Sequence, residues 1–349
     1  MKTAVIIYNL GGPDSRAAIQ PFLYNLFNDP AIIDLPAFIR TPLAWLISTT
    51  RAPKVAPLYD MMGGSSPIQK NTLAQAEALQ TALAGDGEFK VFTAQRYWHP
   101  MADEVVGQVK AWDAQRVILL PLYPQFSTTT TTSFVKVWEA AATAQNLTAP
   151  THTICCFPDA PGYVRAQADL AWPVLAEAKK HGTPRVLFSA HGLPEKIVTG
   201  RGDPYPIHIQ RSAAAIAAAL NEPGLDWLVT YQSRVGPLKW VEPYTIDEIH
   251  RAAAEKVPLV IVPLAFVSEH LETLVELDKE YGHIAADKGI PFYGRVPTVS
   301  IHPAFIQELR SLVLQVAANP VQAYISPHGR RICPAHCGAC PCGSGNGLL

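Results

Sequence analysis

The sequence predicts an α/β protein with two similar doubly wound domains, each built on a parallel sheet. Apolar runs without polar alternation recur along the chain, at residues 4–8, 116–122, 185–190, 227–231 and 259–266. Amphipathic segments of helical period lie between these runs. Fully apolar strands that alternate with helices are typical of a parallel sheet covered on both faces. The pattern occurs twice with similar punctuation, so we expect two related domains.

The domain boundaries are predicted from breaks in this pattern. Prolines and a glycine cluster within residues 148–162, so we expect the break between the domains near these residues. We expect the first domain at 1–150, the second at 151–302, and a helix at 303–325 that packs back on the first domain. Residues 326–349 are rich in Gly, Pro and Cys and have no helical or strand period, so they are expected to form a separate tail.

The composition argues against several classes of protein. Lys and Arg number 28 against 29 Asp and Glu, for a formal net charge of −1, so no basic surface for nucleic acid is expected. No run of about 18 apolar residues could span a bilayer. No secretion signal precedes the first apolar run, so we expect a cytoplasmic protein. Six cysteines in such a protein indicate thiols or metal ligands rather than disulfides.

His191 is the first candidate for a functional side chain. It follows the apolar run 185–190 and precedes Gly192-Leu-Pro194, which ends the strand. Ligands of open α/β sheets bind outside the carboxyl ends of the strands, and an imidazole there could accept a proton or bind a metal. A core histidine that is hydrogen-bonded to the backbone is the alternative interpretation.

An acidic stripe follows the apolar run 259–266. Ser268 is a candidate N-cap, and Glu269, Glu272, Glu276 and Glu280 are spaced +3, +4 and +4, on one helical face. A solvated acidic face is the simpler interpretation. However, like charges at this spacing repel, and the stripe begins where ligands of such sheets bind. Carboxylates there could lead a hard dication inward or carry protons outward.

Two glycine-rich loops lie in the first half of the chain, Asn9-Leu-Gly-Gly-Pro13 and Gly63-Gly-Ser-Ser-Pro67. Neither has the glycine spacing of a dinucleotide-binding or phosphate-binding loop, so we reject nucleotide binding. The backbone of the second loop could approach a flat ligand closely, because glycine has no side chain.

Seven short motifs occur in a fixed order along residues 1–320. They are Asn9-Leu-Gly-Gly-Pro13, Gly63-Gly-Ser-Ser-Pro67, Arg96-Tyr97, Tyr123-Pro-Gln125, Ser189-Ala-His-Gly-Leu-Pro194, Tyr231-Gln-Ser-Arg-Val-Gly-Pro237 and Glu269-His-Leu-Glu-Thr-Leu-Val-Glu-Leu277. This ordered set resembles the ferrochelatase family. The resemblance implies two Rossmann-like, chelatase-type domains with a cleft between them, and a lyase that inserts Fe²⁺ into protoporphyrin IX as the last step of haem biosynthesis.

The resemblance also implies roles for individual residues. His191 and Glu272 match the family's active-site pair, which is assigned to binding the substrate Fe²⁺ and to removing pyrrole protons. We expect the two to converge from opposite sides of a disc-shaped apolar slot, with Glu269, His270 and Glu276 near or behind Glu272 as a metal relay or support. The residues that match porphyrin-lining positions are Leu10, Arg51, Tyr59, Ser66, Tyr123, Trp240 and Phe266.

Residues 33–47 form a strongly apolar segment with Pro36, Pro42 and few charges, followed by Arg51 and Lys54. A buried helix pair is one interpretation. The resemblance places the segment at the mouth of the cleft, as an apolar lip over about residues 33–50. Such a lip would dip into the inner surface of the cytoplasmic membrane, where contact with the oxidase that produces the porphyrin is also expected.

The tail contains Cys333, Cys337, Cys340 and Cys342 without any core-forming pattern. Hydrophobic burial does not explain these thiols, whereas a metal or iron–sulfur site does. Many ferrochelatases carry a [2Fe–2S] cluster, and the family pattern C-x6-C-x-C fits Cys333, Cys340 and Cys342. The resemblance implies Cys156 as the internal ligand, with Cys337 or Cys155 as substitutes, and zinc is the rival metal.

Other functions stay open at this stage. A cobalt or nickel tetrapyrrole chelatase could share the fold, although it usually places two histidines at the metal site. Coproporphyrin is an alternative substrate. A haem- or iron-binding redox sensor would be a non-enzyme, but it does not need an acidic stripe beside an imidazole.

Overall fold

The structure, a computed structural model, describes residues 1–319 and 323–343. The chain divides into two compact units. Unit 1 comprises Met1–Cys156 and Leu309–Arg330, and unit 2 comprises Phe157–Glu308 and Arg331–Gly343.

Unit 1 is built on a parallel sheet of five strands: β1 (Thr3–Asn9), β2 (Phe89–Gln95), β3 (Arg116–Pro121), β4 (Thr151–Ile154) and β9 (Tyr324–Ile325). Their order in the sheet is β2-β1-β3-β4-β9. The interior strand β1 is buried along its whole length, which is why it reads as a continuous apolar run.

The helices of unit 1 connect these strands. They are α1 (Ile19–Phe27), α2 (Ala37–Asp60), α3 (Ile68–Ala82), α4 (Ala102–Ala111) and α5 (Thr131–Ala144). The longest is α2, which contains the predicted lip and exposes Phe38, Trp45 and Leu46. Among the described residues, none of the helices combines the length and the apolar character needed to cross a bilayer.

Unit 2 is built on a second parallel sheet, whose strands are β5 (Arg185–His191), β6 (Asp226–Gln232), β7 (Leu259–Pro263) and β8 (Tyr293–Arg295). Their order in the sheet is β6-β5-β7-β8. Its helices are α6 (Pro161–Ala178), α7 (Glu195–Arg201), α8 (Tyr205–Leu220), α9 (Thr245–Glu255), a π-helix (Glu272–Glu280) and α10 (Tyr281–Asp287). The helix α11 (Pro303–Ala318) begins in unit 2 and ends in unit 1.

The prediction of two α/β domains with parallel sheets is confirmed, but the boundaries differ. The break lies after Cys156 rather than at residue 150, because residues 151–154 form β4 and pair with β3 of the first sheet. The predicted tail at 326–349 is divided: residues 326–330 stay with unit 1 and residues 331–343 with unit 2. The expected helix 303–325 ends at Ala318, and Tyr324–Ile325 pairs with β4 as a strand. Residues 320–322 and 344–349 lie outside the described part of the chain.

Candidate active site

His191 is the last residue of β5, at the carboxyl edge of the second sheet. Its neighbour in register is Gln232, the last residue of β6. The Tyr205 hydroxyl donates to the His191 carbonyl oxygen at 3.0 Å, which holds the backbone at this strand end. The imidazole remains accessible, with 36% of its side chain exposed, so it is not a core histidine.

Glu272 meets His191 directly. The Nδ1 atom of His191 lies 2.8 Å from Oε2 of Glu272. The same carboxylate oxygen accepts from Nε2 of Gln232 at 3.4 Å and from the Ser233 hydroxyl at 3.2 Å. Residues from a strand end, a loop and a helix therefore fix one carboxylate against one imidazole.

This contact corrects one prediction. We expected His191 and Glu272 to face each other across a disc-shaped slot, but a 2.8 Å hydrogen bond leaves no room for a ligand between them. The two side chains form one unit on the same side of any flat ligand. Sequence reasoning could not find this arrangement, because 81 positions separate the two residues.

Each member of the pair shifts the pKa of the other. Burial lowers the pKa of His191, but the charge and hydrogen bond of Glu272 outweigh burial and raise it above the usual value. Burial favours the neutral form of Glu272, yet His191 and His270 hold the pKa of this carboxyl below its usual range. Strongly perturbed partners at the edge of a sheet are typical of functional sites.

The acidic stripe takes an unusual backbone form. The predicted N-cap Ser268 lies in a loop, and the helix is a π-helix over Glu272–Glu280. Such i→i+5 backbone bonding is rare and is frequently found at functional sites. The Glu276 carboxylate accepts from the Ser233 backbone N–H at 2.9 Å and from the Tyr281 hydroxyl at 2.9 Å. Burial and the neighbouring Glu272 raise the pKa of Glu276.

The other predicted residues of the acidic segment are Glu269, Glu280 and His270, and they have different surroundings from His191 and Glu272. Glu269 precedes the helix and binds Nη1 of Arg295 at 2.9 and 3.2 Å, while it also accepts from Thr298 N at 3.0 Å. Glu280 is exposed. His270 is buried with Nε2 at 3.9 Å from Oε1 of Glu272. Burial is the main reason that the pKa of His270 is lowered.

Aromatic side chains border the imidazole. The rings of Trp240 and Phe266 lie edge-on to His191, with centroids 6.3 and 6.4 Å away. Trp240 approaches closely because position 192 is glycine: a Cβ there would lie 3.0 Å from the Trp240 ring and 3.1 Å from the Gln232 carbonyl oxygen. Both aromatic residues were predicted to line the porphyrin site.

The other predicted porphyrin contacts belong to unit 1. Leu10, Arg51 and Ser66 are partly exposed, and the Arg51 guanidinium lies 5.7 Å from the Phe27 ring centroid. Ser66 N donates to the Pro13 carbonyl at 2.8 Å, which joins the two glycine-rich loops. Tyr59 and Tyr123 are only 5% and 7% exposed, so their rings offer little surface to a ligand.

Sequence reasoning missed several supporting residues. Tyr205 lies in a helix with no motif around it, and nothing in the sequence indicated its bond to His191. Gln232 and Ser233 follow an apolar run. Because ligands of such sheets bind at the carboxyl ends of the strands, their position indicated a ligand site but assigned them no role. His208 was also missed: it lies fully buried on α8 with Nε2 at 3.1 Å from Cys333 Sγ.

The tail cysteines pack on unit 2. Cys333, Cys337 and Cys340 form a buried cluster, with Ile207 and Cys342 against it. Hydrogen bonds with Cys333, the larger effect, and with Cys342 lower the pKa of the Cys340 thiol strongly. Within the described ranges, no group of three His, Cys, Asp or Glu side chains is arranged as a metal site. Two of the predicted ligands, Cys333 and Cys342, nevertheless contact a third, Cys340, and soft thiolates suit an iron–sulfur cluster or zinc.

Comparisons with known proteins identify the class first. The chain shares its fold with SirB from Bacillus subtilis bound to Fe³⁺, with a TM-score of 0.54 at 12% identity, over 92% of this chain and 97% of that one. The cobalt complex of the sirohydrochlorin chelatase SirB gives 0.53 at 12% identity, over the same shares of the two chains. The two parallel-sheet units therefore have a chelatase-type fold.

The sequence comparisons identify the family. The ferrochelatase family profile matches residues 2–317. The ferrochelatase of Phenylobacterium zucineum is 50% identical over 348 residues and 99% of both chains. That of Caulobacter vibrioides is 47% identical over 350 residues, 99% of this chain and 98% of the relative. The chain belongs to the ferrochelatase family. It is a metal chelatase of the lyase class, which inserts Fe²⁺ into a porphyrin in haem biosynthesis.

Proposed function

We propose that the porphyrin substrate is protoporphyrin IX and that His191 and Glu272 form the catalytic pair of the last step of haem biosynthesis. The observation that supports the catalytic pair is the 2.8 Å contact between His191 Nδ1 and Glu272 Oε2. Iron insertion must remove two pyrrole protons, so it needs a base beside the ring nitrogens. A partly exposed imidazole with a fixed orientation meets that need.

The carboxylate fixes the tautomer of the imidazole. When Nδ1–H donates to Glu272, the lone pair of His191 lies on Nε2. That nitrogen is then free to take a pyrrole proton or to contact the incoming Fe²⁺. The imidazolium that forms is stabilised by the Glu272 carboxylate, in the same way that a carboxylate supports a catalytic histidine elsewhere.

The test is anaerobic insertion of Fe²⁺ into protoporphyrin IX and into coproporphyrin by the wild type, His191→Ala and Glu272→Gln. We expect both variants to lose most of their kcat. His283→Ala and Glu280→Gln are matched controls, because both side chains are exposed on the same helical segment and should leave kcat unchanged. Faster turnover of coproporphyrin would contradict the substrate assignment, and active variants at 191 and 272 would contradict the pair.

We further propose that Cys333, Cys340 and Cys342, together with Cys156, hold a [2Fe–2S] cluster. The contacts that Cys333 and Cys342 make with Cys340 in the buried cysteine cluster support this proposal. Cys156 is buried at the end of unit 1. A cluster would add redox-active iron to the tail and tie these cysteines into the fold; iron insertion itself needs no electron.

The cluster is tested on anaerobically purified protein. We expect visible absorbance, acid-labile sulfide and two iron atoms per chain, all lost in Cys340→Ser and Cys156→Ser. The Cys155→Ser and Cys337→Ser variants are the matched controls and should keep the cluster. A colourless protein with stoichiometric zinc would contradict the proposal.

We propose that the protein is cytoplasmic and binds the inner face of the cytoplasmic membrane through α2. The exposed fractions of Phe38, Trp45 and Leu46, at 79%, 58% and 53%, support this. An apolar helix surface of this kind favours shallow insertion at a bilayer surface. Membrane docking would also bring the enzyme close to the oxidase that produces its porphyrin.

Liposome sedimentation tests the membrane surface. Trp45→Glu and Leu46→Glu should move the protein from the liposome pellet to the supernatant. Thr143→Glu, an exposed site on α5, adds the same charge away from α2 and should leave sedimentation unchanged. Equal sedimentation of all variants would refute the proposal.

A further inference from the structure

Ser233 lies between the two carboxylates of the π-helix. Its backbone N–H donates to Oε1 of Glu276 at 2.9 Å, and its hydroxyl contacts Oε2 of the same residue. The hydroxyl also lies 3.2 Å from Oε2 of Glu272. One residue therefore holds both oxygens of Glu276 and touches the oxygen of Glu272 that binds His191.

The backbone of Ser233 has the conformation that directs both donors to this point. Its φ is +63°, in the left-handed region that non-glycine residues rarely adopt. Such a conformation persists when the surrounding structure determines it, and it is concentrated at functional sites. The three contacts to Glu272 and Glu276 provide that constraint.

We propose that Ser233 is a positioning residue for iron insertion, whose hydroxyl sets the place of Glu272 and through it the orientation of His191. Without the hydroxyl, two neighbouring carboxylates on one helix would repel each other, and the remaining Ser233 N–H donates to Glu276 alone. Glu272 would then move, and the imidazole that it orients would move with it. The inference depends on the proposed catalytic pair, because Ser233 acts only through Glu272.

Two substitutions separate the hydroxyl from the backbone conformation. Ser233→Ala removes the hydroxyl and keeps a side chain at positive φ, whereas Ser233→Gly removes it and relaxes the backbone. Both retain the N–H bond to Glu276. We expect both to lower kcat for Zn²⁺ and Fe²⁺ insertion by about 10- to 100-fold, since a displacement of about 1 Å costs that order of rate. The KM for porphyrin should change much less.

The control and the coupling test complete the experiment. Ser300 is also a serine of unit 2 at positive φ, with +42°, and Ser300→Ala should behave as the wild type. Ser233→Ala combined with Glu272→Gln should be no slower than Glu272→Gln alone, because residues that act through one another are not additive. Thermal unfolding of each variant confirms that the fold is retained.

The outcomes are distinguishable. If Glu272→Gln is impaired while Ser233→Ala turns over normally, the inference is overturned and the catalytic pair stands. Fully additive losses in the double variant overturn the inference too, since Ser233 would then act independently of Glu272. If Ser233→Gly is active and Ser233→Ala is not, backbone strain rather than the hydroxyl is the cause, and the inference fails. Normal activity of Glu272→Gln overturns both proposals.

Discussion

A substitution at Glu269 tests whether this residue of the acidic segment stabilises the fold or takes part in iron insertion. Its carboxylate binds Arg295 Nη1 at 2.9 and 3.2 Å and the Thr298 N–H at 3.0 Å. The Arg295 side chain is only 9% exposed and that of Glu269 23%. We expect Glu269→Ala to destabilise unit 2 while the rate of iron insertion by the folded enzyme stays near that of the wild type.

The magnitude follows from the burial of the partner. Removal of one member of a buried ion pair costs about 3–5 kcal/mol, because the other charge remains buried without compensation. Arg295 keeps a second contact, to Asp278 at 3.4 Å, but that carboxylate is 50% exposed and screened by water. We therefore expect a loss of about 3 kcal/mol, which lowers Tm by about 6–12 °C for a unit of this size.

The pH dependence has a definite sign. Burial opposes ionisation of Glu269, but Arg295, Thr273 and Thr298 together hold its pKa below the usual value. A lowered pKa in the folded state means that the stabilisation is present above the unfolded pKa and is lost as pH falls through the folded value. The difference in Tm between wild type and Glu269→Ala should thus shrink in acid.

The assay is thermal unfolding at several pH values together with kcat at 25 °C. Glu280→Ala is the matched control, because Glu280 is exposed on the same segment and should leave Tm unchanged. An unchanged Tm for Glu269→Ala, or a large loss of kcat in a fully folded sample, would refute the reasoning. The second result would instead assign Glu269 to the metal relay.

Three further predictions concern the pair and its surroundings. Glu272→Gln removes the charge that raises the pKa of His191, so the acidic limb of the kcat–pH profile should move to lower pH; a shift to higher pH would contradict this. Tyr205→Phe leaves the His191 carbonyl without its donor and should cost about 1–2 kcal/mol in urea unfolding; unchanged stability would contradict it. Gly192→Ala places a Cβ 3.0 Å from the Trp240 ring and should raise the KM for porphyrin; an unchanged KM and tryptophan fluorescence would contradict it.

From the sequence we could identify the strands that are buried along their whole length. Buried parallel strands such as β1 and β5 read as apolar runs, because both of their faces are covered. It missed β2, which is half-exposed at the sheet edge, and β4, whose residues are Thr, His, Thr and Ile. These strands depend on pairing with a neighbour, which no local pattern records. The position of the boundary within the predicted break depends on the same pairing, because residues 151–154 join the first sheet.

The same distinction applies to the site. The sequence alone determined that His191 ends a strand and that acidic residues follow a later strand, because strand ends are local features. The resemblance to the ferrochelatase family then predicted which of these residues, His191 and Glu272, form the active-site pair. The tertiary structure decided that His191 and Glu272 share a hydrogen bond, that Glu269 turns to Arg295, and that Ser233 lies between two carboxylates. These contacts join residues far apart in the chain, and those of Glu272 and Glu276 come from a rare π-helix, so only the folded backbone determines them.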